Sequence, residues 1–160
     1  GHHRIATITG PLNMTGGEDR LAGYRQALEA YRLPVDDDLI VEGDFTEASA
    51  MAAARRLLSL SVTAIFAASD IMAVGALKVL READARVPQD VALVGFDDVP
   101  LASAVEPALT TVRQPIEQMG SMAADLLLNL LENPPDEQAP AHKIILPSKL
   151  VVRGSCGALD

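Results

Sequence analysis

Two side chains in this sequence have the type and setting to recognise a small polar molecule, Asp97 and Arg20. Asp97 closes the run Val87-Pro-Gln-Asp-Val-Ala-Leu-Val-Gly-Phe-Asp-Asp98, which is followed by Pro107-Ala-Leu-Thr-Thr-Val-Arg-Gln-Pro115. An unbroken apolar stretch such as Val91 to Phe96 reads as a central strand of a parallel sheet, covered on both faces. Open α/β sheets bind ligands beyond the carboxyl ends of their strands, so a carboxylate there can accept hydrogen bonds from hydroxyls or amines. The other reading is a turn or capping aspartate, and position alone leaves both open. Arg20 falls early in a helix, where its charge opposes the dipole. It is either half of a surface ion pair with Glu18 or Asp19, or a guanidinium fork aimed at hydroxyls or a carboxylate in a cleft.

Other chemistries find less support. Gly10-Pro-Leu-Asn-Met-Thr-Gly-Gly17 follows a strand and precedes a helix, but it contains no lysine and meets neither nucleotide-binding glycine fingerprint. His2-His3 and His142 lie far apart with no carboxylate at helical ligand spacing, so no metal site is expected. A serine hydrolase needs a Gly-x-Ser-x-Gly elbow or a serine with histidine in reach, and neither is visible. Ser69-Asp70 follows a strand and reads as a helix cap. The expectation is a protein that is not an enzyme, has no catalytic residues and needs no cofactor.

Composition narrows the partners. With 160 residues the chain suits one domain able to bury about two-thirds of its unfolded surface. The single Cys156 excludes an internal disulfide. A net charge of −9 argues against this segment clamping a phosphate backbone itself. Aromatics make up 3% of residues, so Phe45 and Phe96 stand out. No leader and no run of about 18 apolar residues is visible, which reads as a cytoplasmic protein with no membrane segment.

The elements that would position these groups alternate regularly. Arg4 to Thr9 reads as a strand and Glu18 to Tyr31 as a helix with Leu21, Tyr24, Ala27 and Leu28 inward. A strand Leu39–Glu42 follows, then a helix from a Thr46 cap to about Leu60, and a strand Thr63–Ala68. The helix from Ile71 to about Ala83 is apolar on more than one face, which suggests a second subunit as its second partner. With the strand Val91–Phe96 this makes an α/β fold with a parallel, doubly wound sheet. After Pro115 the pattern changes to a long amphipathic helix, Ile116–Glu132, a linker-like stretch over 133–140, and two short strands, Lys143–Leu146 and Lys149–Val152. These elements cannot build a second sandwich alone.

Six segments in order carry a resemblance: the opening Gly1-His-His-Arg-Ile-Ala-Thr-Ile-Thr-Gly-Pro11, Asp19-Arg-Leu-Ala-Gly-Tyr24, Glu42-Gly-Asp-Phe45, Thr63-Ala-Ile-Phe-Ala-Ala-Ser-Asp-Ile-Met-Ala73, Val87 to Asp98, and Leu109-Thr-Thr-Val-Arg-Gln-Pro115. Together with Leu150-Val-Val-Arg-Gly-Ser155 they resemble the LacI/GalR family of bacterial transcription regulators over essentially the whole chain. That family joins a helix-turn-helix headpiece to a periplasmic-binding-protein-like core that holds a small effector between two subdomains. The resemblance implies that residues 1–113 are the C-terminal subdomain, 114–147 a returning part of the N-terminal subdomain, and 148–160 a closing strand and tail, with the DNA-binding headpiece absent.

Carried over by position, the resemblance makes Arg20, Phe45 and Asp97 the effector wall. Arg20 binds effector hydroxyls, Phe45 stacks on the effector ring, and Asp97 accepts from the hydroxyls. Asn13 and Met14 face the cleft, Ser69 is a polar contact in some relatives, and Gln114 sits at the crossover. Met14 and Gly16 are not the polar residues of purine-responsive relatives, so the implied effector is a sugar or sugar derivative. The implied partners are that effector, operator DNA through the missing headpiece, and a second copy of the chain packed through Leu77, Val79, Leu80, Leu101 and Val105. The rival implication is a periplasmic or receptor-linked sugar-binding protein on the same fold, without DNA binding.

Overall fold

The computed structural model describes residues 1–134 and 143–158. Its core is a six-stranded sheet in the order β2-β1-β3-β4-β5-β6, made by β1 (Ile5–Thr9), β2 (Ile40–Glu42), β3 (Ala64–Ala67), β4 (Ala92–Asp97), β5 (Thr110–Arg113) and β6 (Lys149–Val151). β1 to β5 run parallel and β6 runs antiparallel to β5. Strand alternation divides the buried residues between two faces. Ala6, Ile8, Ile65, Ala67 and Leu93 meet α2 (Glu47–Leu58) and α3 (Asp70–Glu82), while Ile5 and Phe66 meet Leu21, Tyr24 and Leu28 of α1 (Thr15–Ala30). Helices on both faces make the sheet doubly wound, as the alternation implied.

Within the chain, α3 has α2 as its second partner, which accounts for most of its apolar surface. The two helices touch through small residues: a Cβ on Gly75 would come within 2.5 Å of the Glu47 carbonyl oxygen and 3.2 Å of the Ala50 Cβ. Ala50, Ala53 and Ala54 let the backbones approach, and α3 is buried nearly all round. Leu77, Val79 and Leu80, expected at a dimer interface, are at most 2% exposed within the chain's own core. They have no surface to offer a partner. Of the five residues expected there, Leu101 in α4 (Pro100–Ala104) is exposed and Val105 is half-buried against the core.

Two further expectations change. The run Pro107 to Pro115, for which no strand is expected and at whose end Gln114 is placed at the crossover, contains a true strand, because β5 pairs with β4 and β6 on its two sides. Its threonines are buried and satisfied: the Thr110 N–H donates to Ser155 Oγ at 2.8 Å, and Thr111 Oγ1 donates to Asp70 at 2.6 Å. Lys143 to Leu146, read as a strand, is not one. Among the described residues no strand lies beside it to take its backbone hydrogen bonds, and an unpaired strand is not stable in water. The 133–140 stretch and His142 fall mainly outside the described residues.

Helix α5 (Ile116–Glu132) forms over the expected span, yet none of its residues is buried. Leu127 and Leu131 are 59% and 70% exposed. An apolar groove of about 560 Å³ runs between α5, Ile144 to Leu146, and the Phe96–Gln114 end of the sheet.

Candidate functional site

Because β1 to β5 are parallel, their carboxyl ends share one edge of the sheet, and the segments after them carry Asn13 and Met14, Phe45, Ser69, Asp97 and Gln114. Arg20 joins them from α1.

The geometry at Phe45 starts from glycine. Gly43 is packed so closely that a Cβ there would meet the Met72 Cε at 2.9 Å and the Thr9 carbonyl at 3.0 Å. The chain then turns at Asp44, whose carboxylate accepts from the Thr46 hydroxyl at 2.5 Å and the Thr46 N–H at 3.0 Å. Hydrogen bonds with Ser49 and Thr46 hold the Asp44 carboxyl down at about 2. Phe45 sits at φ +65°, a left-handed conformation unusual for a bulky residue. Its ring lies where a side chain at Gly10 would be: a Cβ there would be 2.1 Å from Phe45 Cζ. Gly10 is therefore the seat of the ring.

Arg20 is nearly enclosed. Its Nη1 donates to the Gly16 carbonyl at 2.9 Å, its Nη2 stands 3.5 Å from Asp97 Oδ1, and its Cζ lies 4.1 Å from the Phe96 ring centroid and 5.8 Å from that of Phe45. The surface ion pair with Glu18 or Asp19 does not form; the guanidinium faces the Asp97 carboxylate instead. Its Nε is buried with no hydrogen-bond partner, an unmet donor that costs about 1–3 kcal/mol. In the sequence only the scarcity of aromatics marks Phe96; its place under Arg20 follows from strand alternation, which turns it to the α1 face.

Asp97 ends β4 at φ +114° and is followed by Asp98 at φ +59°. Asp97 Oδ1 accepts from Gln114 Nε2 at 2.6 Å. Burial pushes its carboxyl above the ordinary value, and the Gln114 hydrogen bond and the Arg20 charge only partly offset that. Asp98 points the other way. It takes Arg113 Nε at 2.5 Å and Arg153 Nη2 at 2.6 Å. Burial acts to raise its carboxyl too, but the hydrogen bonds from Arg153 and Arg113 outweigh burial and hold it below the ordinary value.

The structure thus brings Arg20, Phe45, Asp97 and Gln114 into one constellation with Phe96. Asn13 and Met14 are exposed on the β1–α1 loop at the same edge and touch none of these side chains through a hydrogen bond. Ser69 is buried, and its hydroxyl accepts the Met72 N–H at 3.2 Å as the cap of α3. Among the described residues, no group of three His, Cys, Asp or Glu stands close enough to hold a metal ion. The arrangement offers an acceptor, a cation and two aromatic faces, which is equipment for binding hydroxyl-bearing rings.

Comparison with known proteins gives a consistent result. Residues 1–156 match the family described as periplasmic binding protein-like domain. The HTH-type transcriptional regulator CelR of Thermobifida fusca is 46% identical over 157 residues, covering 97% of this chain and 45% of CelR. The ribose operon repressor of Escherichia coli K12 is 42% identical over 157 residues, covering 97% of this chain and 47% of the repressor. The structure of a CelR–cellobiose complex superposes with a TM-score of 0.91 at 46% identity, over 97% of this chain and 47% of that one. A lac repressor dimer bound to operator superposes with a TM-score of 0.87 at 32% identity, over 98% of this chain and 53% of that one. The chain spans about half the length of the relatives it matches.

Proposed function

The chain belongs to the periplasmic binding protein-like family, in the form carried by LacI-family transcriptional regulators, and from that premise we propose that it is the effector-sensing part of a DNA-binding regulator. The observation that carries this reading is Arg20, held between the Phe45 and Phe96 rings and facing Asp97. A sugar presents hydroxyls that donate to a carboxylate and accept from a guanidinium, and a ring face that stacks on an aromatic. CelR is seen with cellobiose, and the wall here suits a ligand of that class. The chain performs no chemical step on it. The relatives are transcription regulators, which favours this reading over a periplasmic sugar-binding protein and fits a cytoplasmic location.

We read residues 1–113 as one subdomain, 114–147 as part of a second, and 148–160 as the closing strand and tail. The unburied apolar faces of α5 and the groove beside it support this, since they suit packing against residues of the second subdomain. An effector bridging the two subdomains favours one interdomain arrangement by its differential contacts. In a homodimer, formed here through Leu101, Val105 and neighbouring exposed Ile71, that shift alters headpiece spacing on the operator. Calorimetric titration of the intact protein with cellobiose, ribose and other neutral sugars tests the reading. One of them should bind, and Asp97→Ala should weaken it at least tenfold; a sugar bound equally well by Asp97→Ala would reject the site.

A further inference from the structure

We propose that Asp70 is a positioning residue for this wall: its buried carboxylate holds the turn through Asp97 and Asp98 and so sets where the Asp97 carboxylate meets Arg20. The inference rests on reading Asp97 as part of the effector wall, and it concerns a residue that lies beneath that wall.

Asp70 is the first residue of α3 and is 1% exposed. A carboxylate is so buried only when hydrogen bonds replace water. Capping does not account for it, because Ser69 already caps α3. Its partners lie elsewhere. Oδ1 accepts from the Thr111 hydroxyl of β5 at 2.6 Å, and Oδ2 accepts from the backbone N–H of Val99, just beyond β4, at 2.9 Å. Gly95 of β4 lies directly over it, since a Cβ there would come within 2.3 Å of Asp70 Oδ1.

Asp70 therefore lies against the chain at Gly95 and holds it by a hydrogen bond at Val99, and the three residues between are Phe96, Asp97 and Asp98. Two of these have left-handed backbones, φ +114° and +59°. Such conformations are strained for residues other than glycine and persist when the surroundings over-determine them. On the outer side the clamp of Asp98 by Arg113 and Arg153 does this. On the inner side the Asp70–Val99 hydrogen bond does. With both in place, the strained turn aims Asp97 at Arg20 and Gln114 instead of along the strand. Thr111 sits opposite Gly95 in the β4–β5 register, so the same carboxylate also fixes the strand that leads to Gln114.

The test needs no ligand. In the intact protein, the Arg20 Nε–Hε resonance reports the environment of the guanidinium, and Asp97→Asn sets the shift expected when its partner changes. Asp70→Asn should move that resonance in the same direction, and should add little in an Asp97→Asn background. Thr111→Val, which removes only the hydroxyl, should give a smaller shift of the same sign and serves if Asp70→Asn does not fold. An Arg20 resonance unmoved in the folded variants, with only the melting temperature lowered, would make Asp70 a structural residue and overturn the proposal. Failure here falls on Asp70 alone, whereas failure of the effector reading appears in the sugar titration of Asp97→Ala.

Discussion

The Arg20 guanidinium lies over the Phe96 ring, its Cζ 4.1 Å from the centroid, so the wall's single cation rests on a side chain of the strand that carries the wall's acceptor, Asp97. A cation held over an aromatic in a partly desolvated setting gains about 1–2 kcal/mol. Phe96→Leu keeps apolar bulk and removes the ring face. It should weaken sugar binding about tenfold by calorimetry, with the Arg20 environment altered and the fold retained. Unchanged affinity would mean that Arg20 is placed by Asp97 and Gly16 alone.

Gly10 and Phe45 make a second pair that can be separated. A methyl group at residue 10 would fall 2.1 Å from the Phe45 ring, so the ring must swing away. Gly10→Ala should therefore reduce sugar affinity by about 1 kcal/mol, the scale of an aromatic stacking contact. Phe45→Ala should reproduce that loss and make the Gly10 substitution nearly silent. Additive losses would show that Gly10 acts by some route other than the ring.

The clamp on Asp98 gives a pH dependence whose sign is defined. Its folded carboxyl lies below the ordinary value, so it contributes stability that is present above the unfolded pKa, about 3.9, and is lost as pH falls through the lower folded value. Asp70 and Asp97 are raised by burial and act in the opposite sense, favouring the folded state at low pH and losing that contribution as pH rises through their folded values. Breaking a buried pair by removing one partner costs about 3–5 kcal/mol; Asp98→Asn should approach the lower figure at pH 7 because Arg113 is largely exposed. In urea titrations the gap between the wild type and Asp98→Asn should narrow as pH falls below about 4. A gap independent of pH would show that the ion pairs contribute nothing beyond shape.

The charges around the proposed wall predict a preference for neutral ligands. Arg20 is already faced by Asp97, and Glu18, Asp19 and Asp44 lie nearby in sequence on the same loops and helix start, with no further cation hydrogen-bonded into the constellation among the described residues. A phosphate ester or sugar acid would have to compete with these carboxylates. A neutral sugar should bind at least tenfold more tightly than its phosphate ester, and the reverse order would point to cations supplied across the cleft.

Much of this was legible in the sequence, for identifiable reasons. A strand end, a charge opposing a helix dipole and the scarcity of aromatics single out Asp97, Arg20 and Phe45 as candidates but leave their roles open; the family resemblance is what joins the three in one wall. Strand β5 was hidden because Thr110 and Thr111 are polar yet buried, satisfied by Ser155 and Asp70 far away in sequence. The apolar faces of α3 looked like surplus because pattern does not say how closely α2 approaches; Gly75 and three alanines decide that. Asp70 was obscured by Ser69, whose capping role is local and recognisable, while its own partners lie 29 and 41 residues away. Local pattern reports what a residue does for its own element. It does not report what two distant elements do for one carboxylate.

If sugar at this wall is coupled to DNA binding, as proposed, operator affinity reports that coupling. In the intact regulator, a saturating concentration of the bound sugar should change the dissociation constant for DNA from its own promoter region by about 5- to 150-fold. Arg20→Ala should bind the same DNA with no sugar response. A wild-type affinity indifferent to a sugar that binds, or an Arg20→Ala protein that responds as fully as the wild type, would contradict the account.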